Sequence, residues 1–205
     1  MEFQDYLNFL GGNVDDLELI DGGGNLKLLE RSTELAKNNE GLWLEFGTFT
    51  GRTINYLAKL VPEKTVYGFD SWEGLPEDWR GSMKKGFFST GGVLPEVEEN
   101  VVLVKGWFSD TASKFLEEHP NEKISFLHID CDIYSSTWDV LKACHDRFVV
   151  GTIIQFDEYY NYPEWMEHEH KAWEEYTKKY NVDYEIIAWG GTSDQQIIIQ
   201  ITSIG

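Results

Sequence analysis

A chain of 205 residues is long enough for one domain with a full core, and its 41% hydrophobic and 15% aromatic content excludes a disordered polymer. With 36 acidic against 17 basic side chains the formal net charge is −19, which repels nucleic acid and anionic membrane surfaces alike. The two cysteines, Cys131 and Cys144, fall in an apolar strand and on an apolar helix face, so both read as buried thiols, and no Cys/His spacing suggests zinc.

Residues 1–25 are acidic and punctuated by Gly11-Gly12 and Gly22-Gly23-Gly24. They lack the basic start and apolar stretch of a signal peptide, and nothing approaches a membrane span, so a cytoplasmic protein with a loosely organised lead-in is expected. Asn25 is placed to cap a helix to about Asn39, with Leu28, Leu29, Leu35 and Ala36 on one face. Residues 1–40 are thus assigned to a segment that packs on or caps the core, with a homodimer contact as its further use. Residues 41–205 form the main domain.

From there strands and helices alternate. Strands are expected over 42–46, 65–69, 101–105, 124–129 and 149–156. Helices are expected over 53–60, ended by Pro62, and 111–118. Another opens with the capping-box-like Ser136-x-x-Asp139 and carries Val140, Leu141, Cys144 and Phe148; the last runs from Pro163 to about Tyr180 with Trp165, Trp173, Tyr176 and Tyr180 as its buried stripe. Apolar strands separated by helices imply a parallel sheet covered on both faces. Residues 184–189 and 196–202 are strand-like but separated only by a short Gly-rich turn, too short for a parallel crossover, so they pair as an antiparallel hairpin. The fold class is α/β: a three-layer, Rossmann-like sandwich with a seven-stranded, mostly parallel sheet closed by that hairpin. Residues 71–99 fit no element, yet carry Trp72, Trp79, Phe87 and Phe88, and are read as a lid or substrate-facing loop.

The stretch LWLEFGTFTGRT (42–53) ends a strand in an acid and two glycines. A dinucleotide fingerprint needs a small residue where Phe49 stands, so the spacing Glu45-x-Gly47-x-x-x-Gly51 suits a nucleoside without phosphates better than a pyrophosphate. Asp70 ends the next strand, where an acid can hold ribose hydroxyls. With the terminal hairpin, the pattern is that of a class I methyltransferase using S-adenosylmethionine (AdoMet).

Four motifs, FDSWEGLP (69–76), KGWFSDT (105–111), LHIDCDIYSST (127–137) and QFDEYYNY (155–162), together resemble the macrocin O-methyltransferase family across roughly residues 25–190. That family comprises AdoMet- and magnesium-dependent enzymes that methylate sugar hydroxyls of natural products. The resemblance implies that Glu45, Gly47 and Gly51 line the methionine and ribose part of the cofactor and that Asp70 binds the ribose. It sets Ser71, Gly106, Trp107 and Phe108 around the adenine. Asp130, Asp157 and Glu158 match the metal carboxylates, with Glu158 a departure from the family's usual Asp.

The residues point to a metal independently. Asp130 and Asp157 end neighbouring strands, and an all-carboxylate set without thiol or imidazole suits Mg²⁺. The expected reaction is transfer of the sulfonium methyl to a hydroxyl of a small-molecule acceptor, with Asp130 and Asp132 as the catalytic acids and Asp132 as base or ligand. Tyr134 and His168 are weaker candidates for the base. His168 and His170, in an acidic EHEH stretch, read as a solvated helix face, and His128 as a structural hydrogen bond within a strand. Two alternatives stay open at this point: an AdoMet-binding protein without catalysis, and a nicotinamide oxidoreductase.

Overall fold

The computed structural model describes residues 3–9, 12–22, 24–191 and 194–205. Its strands are Glu18–Leu19 (β1), Leu42–Phe46 (β2), Val66–Asp70 (β3), Val101–Lys105 (β4), Ile124–Ile129 (β5), Ile153–Phe156 (β6), Val182–Trp189 (β7) and Ile197–Ile204 (β8). Its α-helices are Phe3–Phe9 (α1), Gly24–Ala36 (α2), Arg52–Leu60 (α3), Phe108–Glu118 (α4), Tyr134–Cys144 (α5) and Glu169–Tyr180 (α6). One sheet runs in the order β1-β7-β8-β6-β5-β2-β3-β4, and within it only β8 is antiparallel to its neighbours.

The central strands β2, β5 and β6 are buried at every position because both faces are covered. Successive side chains alternate between faces. Trp43, Phe126 and Ile153 join a core with Leu28 and Leu29 of α2 and Leu57 of α3. Phe46, Ile129 and Phe156 join the opposite core with Phe115 of α4, Leu141 of α5 and Trp173 of α6. This is the expected three-layer sandwich.

The sheet has eight strands among the described residues rather than seven. The outer edge of β7 is free to pair, and Glu18 and Leu19 lie parallel against Ala188 and Trp189. The lead-in is also more ordered than expected: Phe3 of α1 stacks on Tyr160 and Tyr6 packs edge-on against His170. Gly11, Gly23 and the hairpin residues Thr192 and Ser193 lie outside the described residues.

Several boundaries move for local reasons. Helix α2 begins at Gly24, so Asn25 sits inside it and is no cap. Helix α5 begins at Tyr134 after Ile133, so Ser136 is within the helix and the capping box does not form. Val149–Gly151 form a turn closed by a Thr152 N–H to Val149 carbonyl bond, delaying β6 to Ile153. The helix expected from Pro163 is interrupted: Glu164 adopts a left-handed φ of 68°, a 3₁₀ turn covers Trp165–Glu167, and α6 starts at Glu169. Cys131 and Cys144 are free and buried, Cys131 just beyond the end of β5. No helix among the described residues is long and apolar enough to cross a membrane.

Candidate active site

A cavity of about 430 Å³ opens above the C-terminal ends of β2, β3, β5 and β6. This is the edge at which parallel α/β sheets bind ligands, and the volume suits a small-molecule site. A glycine shapes its floor. Gly47 follows β2 with a φ of 100°, and a Cβ there would lie 1.8 Å from the Asp130 backbone oxygen. The loops after β2 and β5 therefore touch, backbone against backbone, and only glycine allows it. Gly51, with a φ of 80°, is the N-cap residue of α3.

One end of the cavity is organised by Asp70. Its Oδ2 accepts the Phe49 N–H at 2.7 Å and its Oδ1 accepts the Trp72 N–H at 2.7 Å. The Trp72 indole N–H in turn donates to the Phe49 carbonyl at 2.8 Å. These bonds hold Phe49 in a left-handed conformation with a φ of 43°. Of the expected cofactor residues, Gly47, Asp70, Ser71, Trp107 and Phe108 line the cavity.

Glu45, Gly51 and Gly106 do not line it. Glu45 is wholly buried, and its Oε2 accepts a hydrogen bond from His128 Nδ1 at 2.9 Å. That distance, set by the register pairing Glu45 with His128, points the carboxylate along the sheet and not into the cavity. Gly51 packs under Pro95, and Gly106 sits against Thr111 while donating its N–H to the Asp70 carbonyl.

The other end is acidic: Asp130, Asp132, Asp157 and Glu158 all line the cavity. The expected trio of Asp130, Asp157 and Glu158 does not close as one set. Ligand atoms instead gather in two overlapping groups, each within 4.8 Å: Asp130 with Asp132 and Glu158, and Asp130 with Asp157 and His128. Asp157 Oδ1 turns toward His128 Nε2, 3.6 Å away and beyond hydrogen-bond reach, while the longer Glu158 reaches across to Asp132.

Crowding these carboxyls has an electrostatic cost. Burial, and then the charge of Asp157, push Asp130 well above the usual carboxylate range, and the same two causes raise Glu158. Burial and Asp157 lift Asp132 to about 7, against the pull of Arg80. Burial alone would depress His128, but Asp157 and Glu45 outweigh it and raise the imidazole well above its ordinary value. Asp157 Oδ1 and Glu158 Oε2 are buried without a hydrogen-bond partner. Unpartnered carboxylate oxygens beside raised acids form a donor set that a hard divalent cation would satisfy.

Residues 71–99 fold over one wall without helix or strand, tied by reciprocal Leu75–Phe87 and Gly86–Leu75 backbone bonds. They contribute Trp79 and Arg80. Arg80 is the one basic side chain lining the cavity among the described residues, and its guanidinium lies 3.9 Å from the Trp79 ring centre and 4.2 Å from that of Tyr162.

Sequence reasoning missed Glu169 altogether. It is fully buried: Oε1 accepts the N–H groups of Cys131 at 2.9 Å and Asp132 at 3.2 Å, and Oε2 accepts that of Glu158 at 3.1 Å. Burial lifts its carboxyl to about 8 although those bonds oppose the rise. The signal was present, since positions 169, 173, 176 and 180 share one helix face. The EHEH stretch is thus not a solvated face: His170 is buried too, and His168 is half-buried between Trp79 and Tyr162. Neither Tyr134 nor His168 lines the cavity, and the Tyr134 hydroxyl donates outward to Glu175 at 2.7 Å.

Residues 44–159 match the model of a family described as a methyltransferase domain, and this match overturns the nicotinamide alternative. Demethyldecarbamoylnovobiocin O-methyltransferase of Streptomyces niveus is 28% identical over 145 residues, covering 62% of this chain and 52% of its own. A tetracenomycin-C rhamnosyl 4'-O-methyltransferase of Streptomyces olivaceus is 25% identical over 150 residues, covering 62% and 56%. The chain therefore spans about half the length of the curated relatives it matches. Among solved structures, the calicheamicin methyltransferase CalS11 superposes with a TM-score of 0.71 at 22% identity, covering 86% of this chain and 78% of that one.

Proposed function

Because the chain belongs to this methyltransferase-domain family, we propose that it transfers the methyl group of AdoMet to a hydroxyl of a small molecule, a sugar or other natural-product acceptor, with Mg²⁺ at the acidic end of the cavity. One observation carries the reading. One cavity is lined both by Gly47, Asp70 and Trp107 and by Asp130, Asp132, Asp157 and Glu158. Cofactor and acceptor subsites thus share one enclosure. The names of the curated relatives, both O-methyltransferases of natural products, support the acceptor class.

When bound, AdoMet supplies the electrophilic methyl, and Mg²⁺ supplies positive charge beside the acceptor oxygen. The remaining tasks fall to the chain. Each Asp70 oxygen already takes one N–H but retains a further lone pair for a ribose hydroxyl. Trp107 and Phe108 offer aromatic surface for a purine. Asp130 and Glu158 would hold the ion together with Asp132, and Asp157 stands beside them in the second group that shares Asp130. Asp132 would take the proton released by the acceptor hydroxyl, so that methyl transfer would leave a methyl ether and S-adenosylhomocysteine. Orientation of that oxygen toward the methyl accounts for much of the rate.

Calorimetric titration with AdoMet, followed by transfer from labelled AdoMet to a panel of glycosides and nucleotide sugars with Mg²⁺ or with EDTA, tests the reading. Binding and EDTA-sensitive transfer are expected. A chain that does not bind AdoMet ends the proposal, and transfer indifferent to EDTA removes the metal from it.

A further inference from the structure

Asp132 and Glu158 face each other from two loops that are distant in sequence and contiguous only through tertiary contacts. Asp132 follows β5 and is held at a φ of 62°, a conformation that a non-glycine residue adopts only when its surroundings fix it. Glu158 follows β6. A single side chain bonds to both loops. Oε1 of Glu169 takes two consecutive N–H groups of the first, Cys131 and Asp132, and Oε2 takes the Glu158 N–H of the second. Glu169 opens α6, whose Trp173 and Tyr176 are buried in the core, so the carboxylate is anchored to a rigid element.

From this arrangement we infer that Glu169 is a positioning residue that sets the separation of the Asp132 and Glu158 carboxylates and thereby tunes divalent-cation binding. The inference rests on the metal reading above. Both Glu169 oxygens are turned to backbone N–H groups, so it acts through the loops it ties. It bonds neither Asp70 nor Trp107, so its effect is expected on the two acidic loops.

Glu169→Gln separates the roles. A carboxylate has two acceptor oxygens, whereas a glutamine amide has one and directs NH₂ at the other loop. The amide oxygen can keep Cys131 and Asp132, but its nitrogen then meets the Glu158 N–H donor to donor, and the tie is cut. The measurement is Mn²⁺ titration of the full chain, read as loss of the free-ion EPR signal, alongside AdoMet calorimetry and a thermal melt. The expected result is Mn²⁺ affinity at least 10-fold weaker in E169Q with AdoMet affinity within about three-fold of the parent.

If the parent chain binds no Mn²⁺, the metal reading fails and this inference with it. If the parent binds Mn²⁺ and E169Q binds it equally well, the inference alone falls. Parallel loss of Mn²⁺ and AdoMet affinity makes Glu169 merely structural and also overturns it. Should E169Q not fold, Glu169→Asp, which keeps the carboxyl group but is one methylene too short to reach both loops, is judged by the same criteria.

Discussion

Glu45 and His128 form a hydrogen bond of 2.9 Å inside a sheet that leaves neither side chain any solvent exposure, and the far side of the imidazole looks toward Asp157. The glutamate that a reading of the sequence assigns to the cofactor is thus bonded, through His128, toward Asp157. Its carboxylate fixes how the ring is turned and, with Asp157, favours its charged form.

Replacing Glu45 with alanine should strand a buried imidazole and cost about 2–3 kcal/mol or more. Glu45→Gln keeps an acceptor for Nδ1–H and should cost less. In either variant that folds, AdoMet affinity is expected to stay within about three-fold, because Glu45 does not line the cavity. Chemical denaturation and calorimetry check the two halves, and a ten-fold loss of AdoMet affinity in folded E45Q would return Glu45 to the cofactor.

Asp130 belongs to both groups of candidate ligands, so Asp130→Asn should abolish Mg²⁺-dependent transfer while leaving AdoMet affinity within a few-fold. The pair of measurements is turnover with saturating Mg²⁺ and AdoMet binding without an acceptor. Equal loss of both would contradict the division of the cavity.

Gly47→Ala must place a methyl 1.8 Å from the Asp130 carbonyl oxygen at a φ of 100°. Gly81→Ala is the control, since at a φ of 55° its Cβ would meet nothing within 4 Å. The control should lose about 1–2 kcal/mol from the left-handed backbone alone. Gly47→Ala should lose several kcal/mol or fail to accumulate folded. Urea midpoints measured side by side read the difference, and equal losses would mean that the two loops can separate freely.

His170 is buried with neither ring nitrogen hydrogen-bonded, and burial pushes it down to about 4. Rings of Tyr6, Tyr159 and Trp165 face it. Its folded value lies below the roughly 6.5 of an unfolded histidine, so the neutral ring favours the folded state. That contribution is full above about 6.5 and is lost as pH falls toward 4. Relative to His170→Phe, the parent chain should therefore lose up to about 3 kcal/mol between pH 7 and pH 4. Unfolding free energies of both proteins at the two pH values give the double difference, which isolates His170 from the raised carboxyls. A difference near zero would mean that water reaches the ring.

Much of the cavity was legible because an apolar run that stops at an acid marks a strand end: Asp70, Asp130 and Asp157 each follow such a run and each lines it. The short Gly-rich connection between residues 184–189 and 196–202, too short for a crossover, also made the antiparallel end visible. That Glu45 bonds a histidine and does not line the cavity was not legible, because its partner lies 83 residues away on a non-consecutive strand. Glu169 was hidden for the same reason, its bonds spanning 38, 37 and 11 residues. Beyond that, its charge masked a position that the spacing of Trp173 and Tyr176 puts on the buried face. Arg80 lies in a segment without periodicity, where only the folded loop brings Trp79 and Tyr162 to its two faces.

The pairing of Glu18 and Leu19 with the last two residues of β7 bears on how the chain behaves in a crowd of copies. An uncovered sheet edge offers a row of backbone donors and acceptors to any other strand, and it is a common seed of aggregation. Here that row is capped at one end by β1, while Asp183 and Glu185 stand exposed along the rest. A second copy approaching in register would meet like charge where it needed hydrogen bonds, so the sheet is poorly suited to growth by strand addition on this side.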